Sequence, residues 1–80
     1  PPVRMTGLVL RSGEPDGTVW ISAGAETGVR AGLVFLIVRD GRPVAAVEVI
    51  RVERDFCVAR PKPSDRGDPV RAGDLAEARL

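Results

Sequence analysis

The chain reads as an all-β protein: a single small six-stranded barrel with a pseudo-twofold internal repeat. Three observations predict this. First, Val29-Arg30-Ala31-Gly32 returns as Val70-Arg71-Ala72-Gly73, and each copy leads into an apolar segment. Val9-Leu10-Arg11 precedes the first copy by a distance similar to that by which Val49-Ile50-Arg51 precedes the second. Such repetition marks similar structural units and takes precedence in reading a fold; the halves run over about 5–40 and 43–80. Second, apolar residues come in short β-branched runs punctuated by Gly, Pro and Asp, which is the signature of strands and turns. Third, Asp40-Gly41 sits between two apolar runs, where a type I′ hairpin needs positive φ at both centres. Eighty residues allow one domain, 1–80, and a chain this short buries only about 60–65% of its unfolded surface.

The elements follow in order. Met5–Arg11 is the first strand and Thr18–Ser22, with Val19, Trp20 and Ile21, the second. Between them Glu14-Pro15-Asp16-Gly17 has turn chemistry, because Pro presets φ and Gly supplies positive φ. Ala23–Ala31 contains Ala and Glu, but Gly24, Gly28 and Gly32 break it at four-residue spacing. Each glycine costs a helix about 1 kcal/mol, so one short helical turn is the most that this stretch predicts. The third strand, Leu33–Arg39, is nearly all apolar, as a strand covered on both faces would be.

The fourth strand runs from Val44 to about Glu53. Ala45, Val47 and Val49 share one face, and then Ile50 and Val52 take the other, a phase slip that predicts a bulge near Val49-Ile50. Phe56–Arg60 is the fifth strand. Residues 61–69 hold three prolines and read as a loop, and Asp74–Leu80 is the sixth strand. The expected core is Leu8, Leu10, Val19, Ile21, Val29, Phe35, Ile37, Val47, Val49, Val52, Val58 and Leu75.

Composition narrows the chemistry. The net charge is +1, with eleven Arg and one Lys, so there is no strongly basic field of the kind that nucleic-acid binding usually shows. Histidine is absent and Cys57 is the only cysteine. This rules out an intrachain disulfide, a thiolate metal cluster and a Ser/His/Asp arrangement. Cys57, in a Phe-Cys-Val-Ala run, reads as a small buried hydrophobe. The Gly24/Gly28/Gly32 spacing lacks the Lys-Ser/Thr ending of a phosphate-binding loop. The carboxylates fall mostly at turns and strand ends and are not at calcium-loop spacing. No catalytic residue, cofactor or metal is expected.

Asp74 is placed to accept turn N–H bonds after Gly73. Glu48 is expected on the outer face, with Arg39 or Arg42 as its cross-strand partner. Arg66-Gly67-Asp68 spells an integrin-binding tripeptide, which a chain this rich in Arg, Gly and Asp produces by composition. No apolar stretch approaches the roughly 18 residues of a membrane-spanning helix. The chain begins Pro1-Pro2-Val3, as a processed or excised piece would, so the lack of a targeting segment sets no compartment.

Gly7-x-Val9, Val19-x-Ile21, Gly24, Gly28-Val29, Gly32, Phe35-x-Ile37, Gly41, Val44, Val47-x-Val49 and Gly73-Asp74 form a spaced pattern. Over about Gly7 to Leu80 it resembles small barrels at the C-terminal end of bacterial envelope proteins. These include the C-terminal barrel of flagellar assembly protein T and a barrel of the rod-shape protein MreC. The repeated turn followed by Gly-Asp also resembles cradle-loop barrels. Leu33 departs from the pattern, standing where Asp is common after the first turn; Asp74 keeps it after the second.

The resemblance implies scaffolding and protein–protein contact in a bacterial envelope or periplasmic setting, in oligomers, and supplies no catalytic residues. A structural subunit of a phage or filament assembly would read much the same. The alternative is a nucleic-acid-binding barrel of SH3-like or OB type, which needs aromatic platforms and a basic groove; Trp20 and the Arg set are the available residues. The expected partner is a protein or a second copy. The expected contact residues are Trp20, Arg39, Arg42, Leu75, Ala76, Ala78 and Leu80. Self-association is expected through an exposed edge at Asp74–Leu80 or through a face containing Trp20, which reads either as core or strand-face packing or as an exposed anchor.

Overall fold

The computed structural model describes residues 4–13, 17–62 and 69–79. It contains six strands: β1 (Arg4–Gly13), β2 (Thr18–Ile21), β3 (Val34–Arg39), β4 (Arg42–Val52), β5 (Cys57–Pro61) and β6 (Leu75–Arg79). One 3₁₀ turn, Ala25–Thr27, lies between β2 and β3. All neighbouring strands are antiparallel, and the sheet closes in the order β1-β2-β5-β4-β3-β6. Most of the 14–17 turn, most of the 61–69 loop with Arg66-Gly67-Asp68, and Leu80 lie outside the described residues.

The hairpin between β3 and β4 forms as its sequence requires. Asp40 and Gly41 both take positive φ, 53° and 76°, and Arg39 stands opposite Arg42. The bulge expected at Val49-Ile50 is also present: Val49 pairs with Ala59 and Arg51 with Val58, so Ile50 is the extra residue. A second bulge was not read from the sequence. Val9 pairs with Ile21 and Arg11 with Trp20, so Leu10 is extra on β1. Extra residues of this kind bend a strand and increase its twist, which helps a short sheet to close.

The two Val-Arg-Ala-Gly turns are built alike. Gly32 and Gly73 both have φ 93°, a left-handed conformation open to glycine and costly for residues with a Cβ. The amide of Gly32 donates to the Val49 carbonyl and that of Gly73 to the Val9 carbonyl, both at 2.8 Å. In return Val49 N–H donates to Leu33 O and Val9 N–H to Asp74 O, again both at 2.8 Å. Each turn therefore clips onto the bulged strand at matching points.

The core is small and made of small residues. Val9, Val19, Ile21, Phe35, Ile37, Val47, Val49, Ala59 and Ala76 are almost fully buried, with Met5 and Ala78 beside them. Two expected core residues are corrected: Leu8 and Leu10 are each 51% exposed. The inward face of β1 is Met5, Gly7 and Val9. A methyl at Gly7 would lie 3.0 Å from Ile21 Cγ2 and 3.3 Å from Ala23 Cβ. This part of the wall has no room for leucine, so the larger residues face out. Val52 and Leu75 are only half-buried. Val58 is buried, but on the outer side of β5 and apart from the main cluster.

The expected open edge is corrected as well. β6 pairs with β1 on one side and β3 on the other. Closing a barrel removes its edges: residues 75–77 are paired on both sides, and Ala78 and Arg79 are paired with β1.

The loop after β2 packs tightly on the β4–β5 connection. Ala25 N–H donates to Glu53 O at 2.8 Å and Glu26 N–H to Arg54 O at 3.0 Å. Gly24 makes this approach possible, since a Cβ there would meet Glu53 O at 2.5 Å, Phe56 N at 2.6 Å and Arg54 O at 2.7 Å. These neighbours are backbone and cannot rotate away. Gly24→Ala is expected to cost about 1–3 kcal/mol, the range for overpacking, which lowers the melting temperature by roughly 5–20 °C in a domain of this size. A thermal melt with an unchanged midpoint would show that the connection can yield.

Candidate interaction surfaces

Among the described residues the inward side chains form one apolar cluster, as in small barrels generally. Cys57 points inward and is fully buried, and burial pushes its thiol up to about 11. A thiol so far above neutrality supplies little thiolate for nucleophilic chemistry. Among the described residues, no three His, Cys, Asp or Glu side chains gather into a possible metal site, and no buried side-chain N or O lacks a partner.

Asp74 is the one buried charged residue among those described. Arg39 grips it with two bonds, Nε to Oδ1 at 2.9 Å and a terminal guanidinium nitrogen to Oδ2 at 2.8 Å. Arg71 N–H donates to Oδ2 at 2.9 Å, which is the turn-capping role that the sequence suggests. Arg39 also donates to Pro69 O at 2.9 Å. The Arg39 hydrogen bonds hold the Asp74 carboxyl below the usual carboxylate range; burial opposes this, while the Arg71 amide and the two arginine charges assist. The arrangement ties the 69–74 segment to the end of β3. Arg39 thus serves the fold through Asp74 and does not partner Glu48, which faces outward opposite Arg60 on β5.

A second cluster lies on the β1–β2–β5 wall. Trp20 and Phe56 stack with centroids 5.1 Å apart and planes 4° from parallel. The Arg11 guanidinium sits 4.7 Å from the Trp20 ring centroid, a cation–π geometry. Trp20 alternates with the buried Val19 and Ile21 and so faces outward. It is half-buried, because neighbouring side chains cover much of its ring. It is therefore neither a core residue nor a bare anchor.

The third feature is the outer surface of β4, β3, β6 and β1. Leu8, Val34 and Leu36 are 51%, 39% and 42% exposed there. A hollow of about 370 Å³ is lined by Arg4, Val34, Leu36, Ala46, Glu77 and Ala78. A shallower one of similar size continues past Leu36 to Pro43 and Val44. Arg42 lies at its far end, beside a hollow shared with Arg39 and Asp40.

The expected contact residues thus separate. Leu75 is half-buried on this outer wall and Arg42 is exposed. Ala76 and Ala78 are corrected: they point inward, 0% and 5% exposed, where closure of the barrel makes them core. Sequence reasoning missed Val34 and Leu36. A strand apolar on both faces reads as covered on both, whereas a barrel has one inside. The alternation of Val34, Leu36 and Val38 with Phe35 and Ile37 was the available signal.

Comparison with protein-family models, with curated proteins and with solved structures gives no match. The protein is a small closed six-stranded antiparallel β-barrel.

Proposed function

We propose that this chain is a non-catalytic structural and protein-interaction module of a bacterial envelope-associated assembly. One observation carries the reading: large apolar residues stand exposed on the outside of the barrel, Val34 and Leu36 on β3 beside a hollow that reaches β4 and β6, and Leu8 on β1. Grouped exposed apolar residues mark contact with other macromolecules more often than isolated ones do. The spaced glycine pattern, with its resemblance to the C-terminal barrels of flagellar assembly protein T and MreC, supports the envelope setting and the pseudo-twofold repeat. The matching hydrogen bonds of the two Val-Arg-Ala-Gly turns are in keeping with that repeat.

A second reading, a barrel that binds single-stranded nucleic acid on its outer surface, draws on the Arg11–Trp20–Phe56 stack. Aromatic platforms beside arginine are what such binding uses.

Photo-crosslinking in the native host separates the two. A photoreactive residue at Leu36 or Leu8 is expected to yield a discrete protein adduct in the envelope fraction, and one at exposed Asp55 is not. Adducts to nucleic acid at Trp20, with none to protein, would favour the second reading. An absence of adducts at Leu8, Leu36 and Trp20 alike would overturn the proposal.

A further inference from the structure

The bulges at Leu10 and Ile50 each put an apolar residue and an arginine side by side on the outer surface. On β1 the extra residue Leu10 is 51% exposed, and Arg11 beside it is exposed. On β4 the extra residue Ile50 is 44% exposed, and Arg51 beside it is exposed. A bulge breaks the in-and-out alternation of a strand, so two successive side chains can face outward. Each arginine then stands opposite a residue of the next strand, Arg11 opposite Trp20 and Arg51 opposite Val58.

The two arginines differ in their counter-charge. Arg51 Nε donates to Glu53 Oε2 at 2.6 Å, so a carboxylate two residues along the chain neutralises it. Two residues beyond Arg11 the chain has Gly13, which offers no side chain. Among the described residues Arg11 makes no ion pair. Its guanidinium rests instead on Trp20, 4.7 Å from the ring centroid. A guanidinium seated on a ring keeps its N–H donors at the rim, in a planar fork that fits a carboxylate.

We propose that Leu10 and Arg11, backed by the Trp20–Phe56 stack, dock an extended segment of a partner protein that carries Asp or Glu next to an apolar residue. The proposal rests on the interaction-module reading and names the chemistry of one partner contact. The incoming carboxylate takes on Arg11 the place that Glu53 takes on Arg51. The apolar residue beside it covers Leu10.

The geometry favours a protein segment over a nucleic-acid strand. Arg11 belongs to β1 and Phe56 immediately precedes β5, and these two strands flank β2 on either side. Arg11 and Phe56 therefore occupy both faces of the Trp20 ring, and no base can stack there while they stay in place. Single-strand binding needs open aromatic faces and a basic groove, whereas the net charge here is +1 and Arg51 is already paired. A carboxylate asks only for the rim of Arg11. Stacking also fixes Arg11 in advance, which lowers the ordering cost of binding, and arginine and tryptophan are enriched where interface energy concentrates.

An NMR titration of the full chain with the blocked pentapeptide Gly-Leu-Glu-Leu-Gly tests the contact. Trp20 is the only tryptophan, so its indole N–H gives one resonance that reports on this site alone. The peptide is expected to shift that resonance saturably at millimolar concentration or below. The same peptide with Gln in place of Glu should bind at least about tenfold more weakly, the usual scale for losing hydrogen bonds to a charged group. Arg11→Gln, with an unchanged circular dichroism spectrum, should weaken the Glu peptide by a similar factor. Arg51→Gln should leave its binding unchanged.

A Glu peptide that leaves the Trp20 resonance in place, or binds no tighter than its Gln analogue, would overturn this proposal. So would an Arg11→Gln variant that binds as the wild type does. An oligothymidylate that shifts Trp20 at lower concentration than the peptide would overturn it in favour of nucleic acid. A failed peptide titration alongside discrete envelope-protein adducts at Leu36 or Leu8 would overturn this contact alone and still support the module reading.

Discussion

Phe35→Ala is expected to lower stability by about 3–5 kcal/mol, the range for emptying an aromatic core site. Phe35 is fully buried on β3 and is the largest of the fully buried side chains. Its neighbour across the hairpin is Val47, also fully buried, and Ile37 follows on the same face. The surrounding residues are mostly Val and Ala, which are too short to collapse into the space a phenyl ring leaves. Domains carry roughly 0.05–0.15 kcal/mol of stability per residue, so a chain of 80 residues has little left after such a loss. Urea denaturation should show a largely unfolded protein or a midpoint near zero denaturant. Leu10→Ala provides the contrast. Leu10 is the extra residue of the β1 bulge and half exposed, and its truncation should cost less than about 1 kcal/mol, as ordinary surface changes do. A Phe35→Ala loss below that figure, or a larger loss at Leu10, would contradict the inward and outward assignment of these strands.

The sequence carried the fold at the level of strands and turns because local chemistry decides those. Asp40-Gly41 needed positive φ at two successive residues, and the chain took it there. The phase slip at Val49-Ile50 marked a bulge that is present. The two Val-Arg-Ala-Gly segments marked two turns with matching hydrogen bonds. Misreadings arose where closure decided the outcome. Leu8 and Leu10 are larger and more apolar than Gly7 and Val9, so a residue-by-residue preference puts them inside. A barrel interior of fixed radius instead accepts Gly7 and Val9 and rejects the leucines. Ala76 and Ala78 look like weak surface residues, yet they are core because alternation along β6 turns them into the closed barrel.

The candidate surface was legible only in part. Leu75 was noted, but Val34 and Leu36 were hidden by the assumption that an apolar strand is covered on both faces. Arg39 was noted as a contact residue, and its actual partner, Asp74, lies 35 residues away. Pairing over that separation depends on β3 and β6 being neighbours, which no local pattern states. The Arg11–Trp20–Phe56 stack likewise needs β1, β2 and the start of β5 side by side.

Asp74→Ala is expected to cost about 3 kcal/mol, as removal of one member of a buried charge pair does. The carboxylate is 5% exposed and accepts three hydrogen bonds, two from Arg39 and one from the Arg71 amide. The Arg39 side chain is 28% exposed, so water partly compensates its loss, which keeps the cost at the lower end of the buried-pair range. The same pair makes stability depend on pH. Because Arg39 holds the folded-state Asp74 below the ordinary carboxylate range, the unfolded chain binds this proton more readily. The stabilisation is therefore fully present above the unfolded value of about 4 and is lost as pH falls through the lowered folded value. Urea midpoints measured from neutral pH down through that window should fall for the wild type. Asp74→Asn, which keeps the shape but cannot ionise, should start lower at neutral pH and fall less steeply on acidification. Parallel acid slopes in the two proteins would mean that the Arg39–Asp74 pair does not carry the pH dependence, and that other carboxylates do.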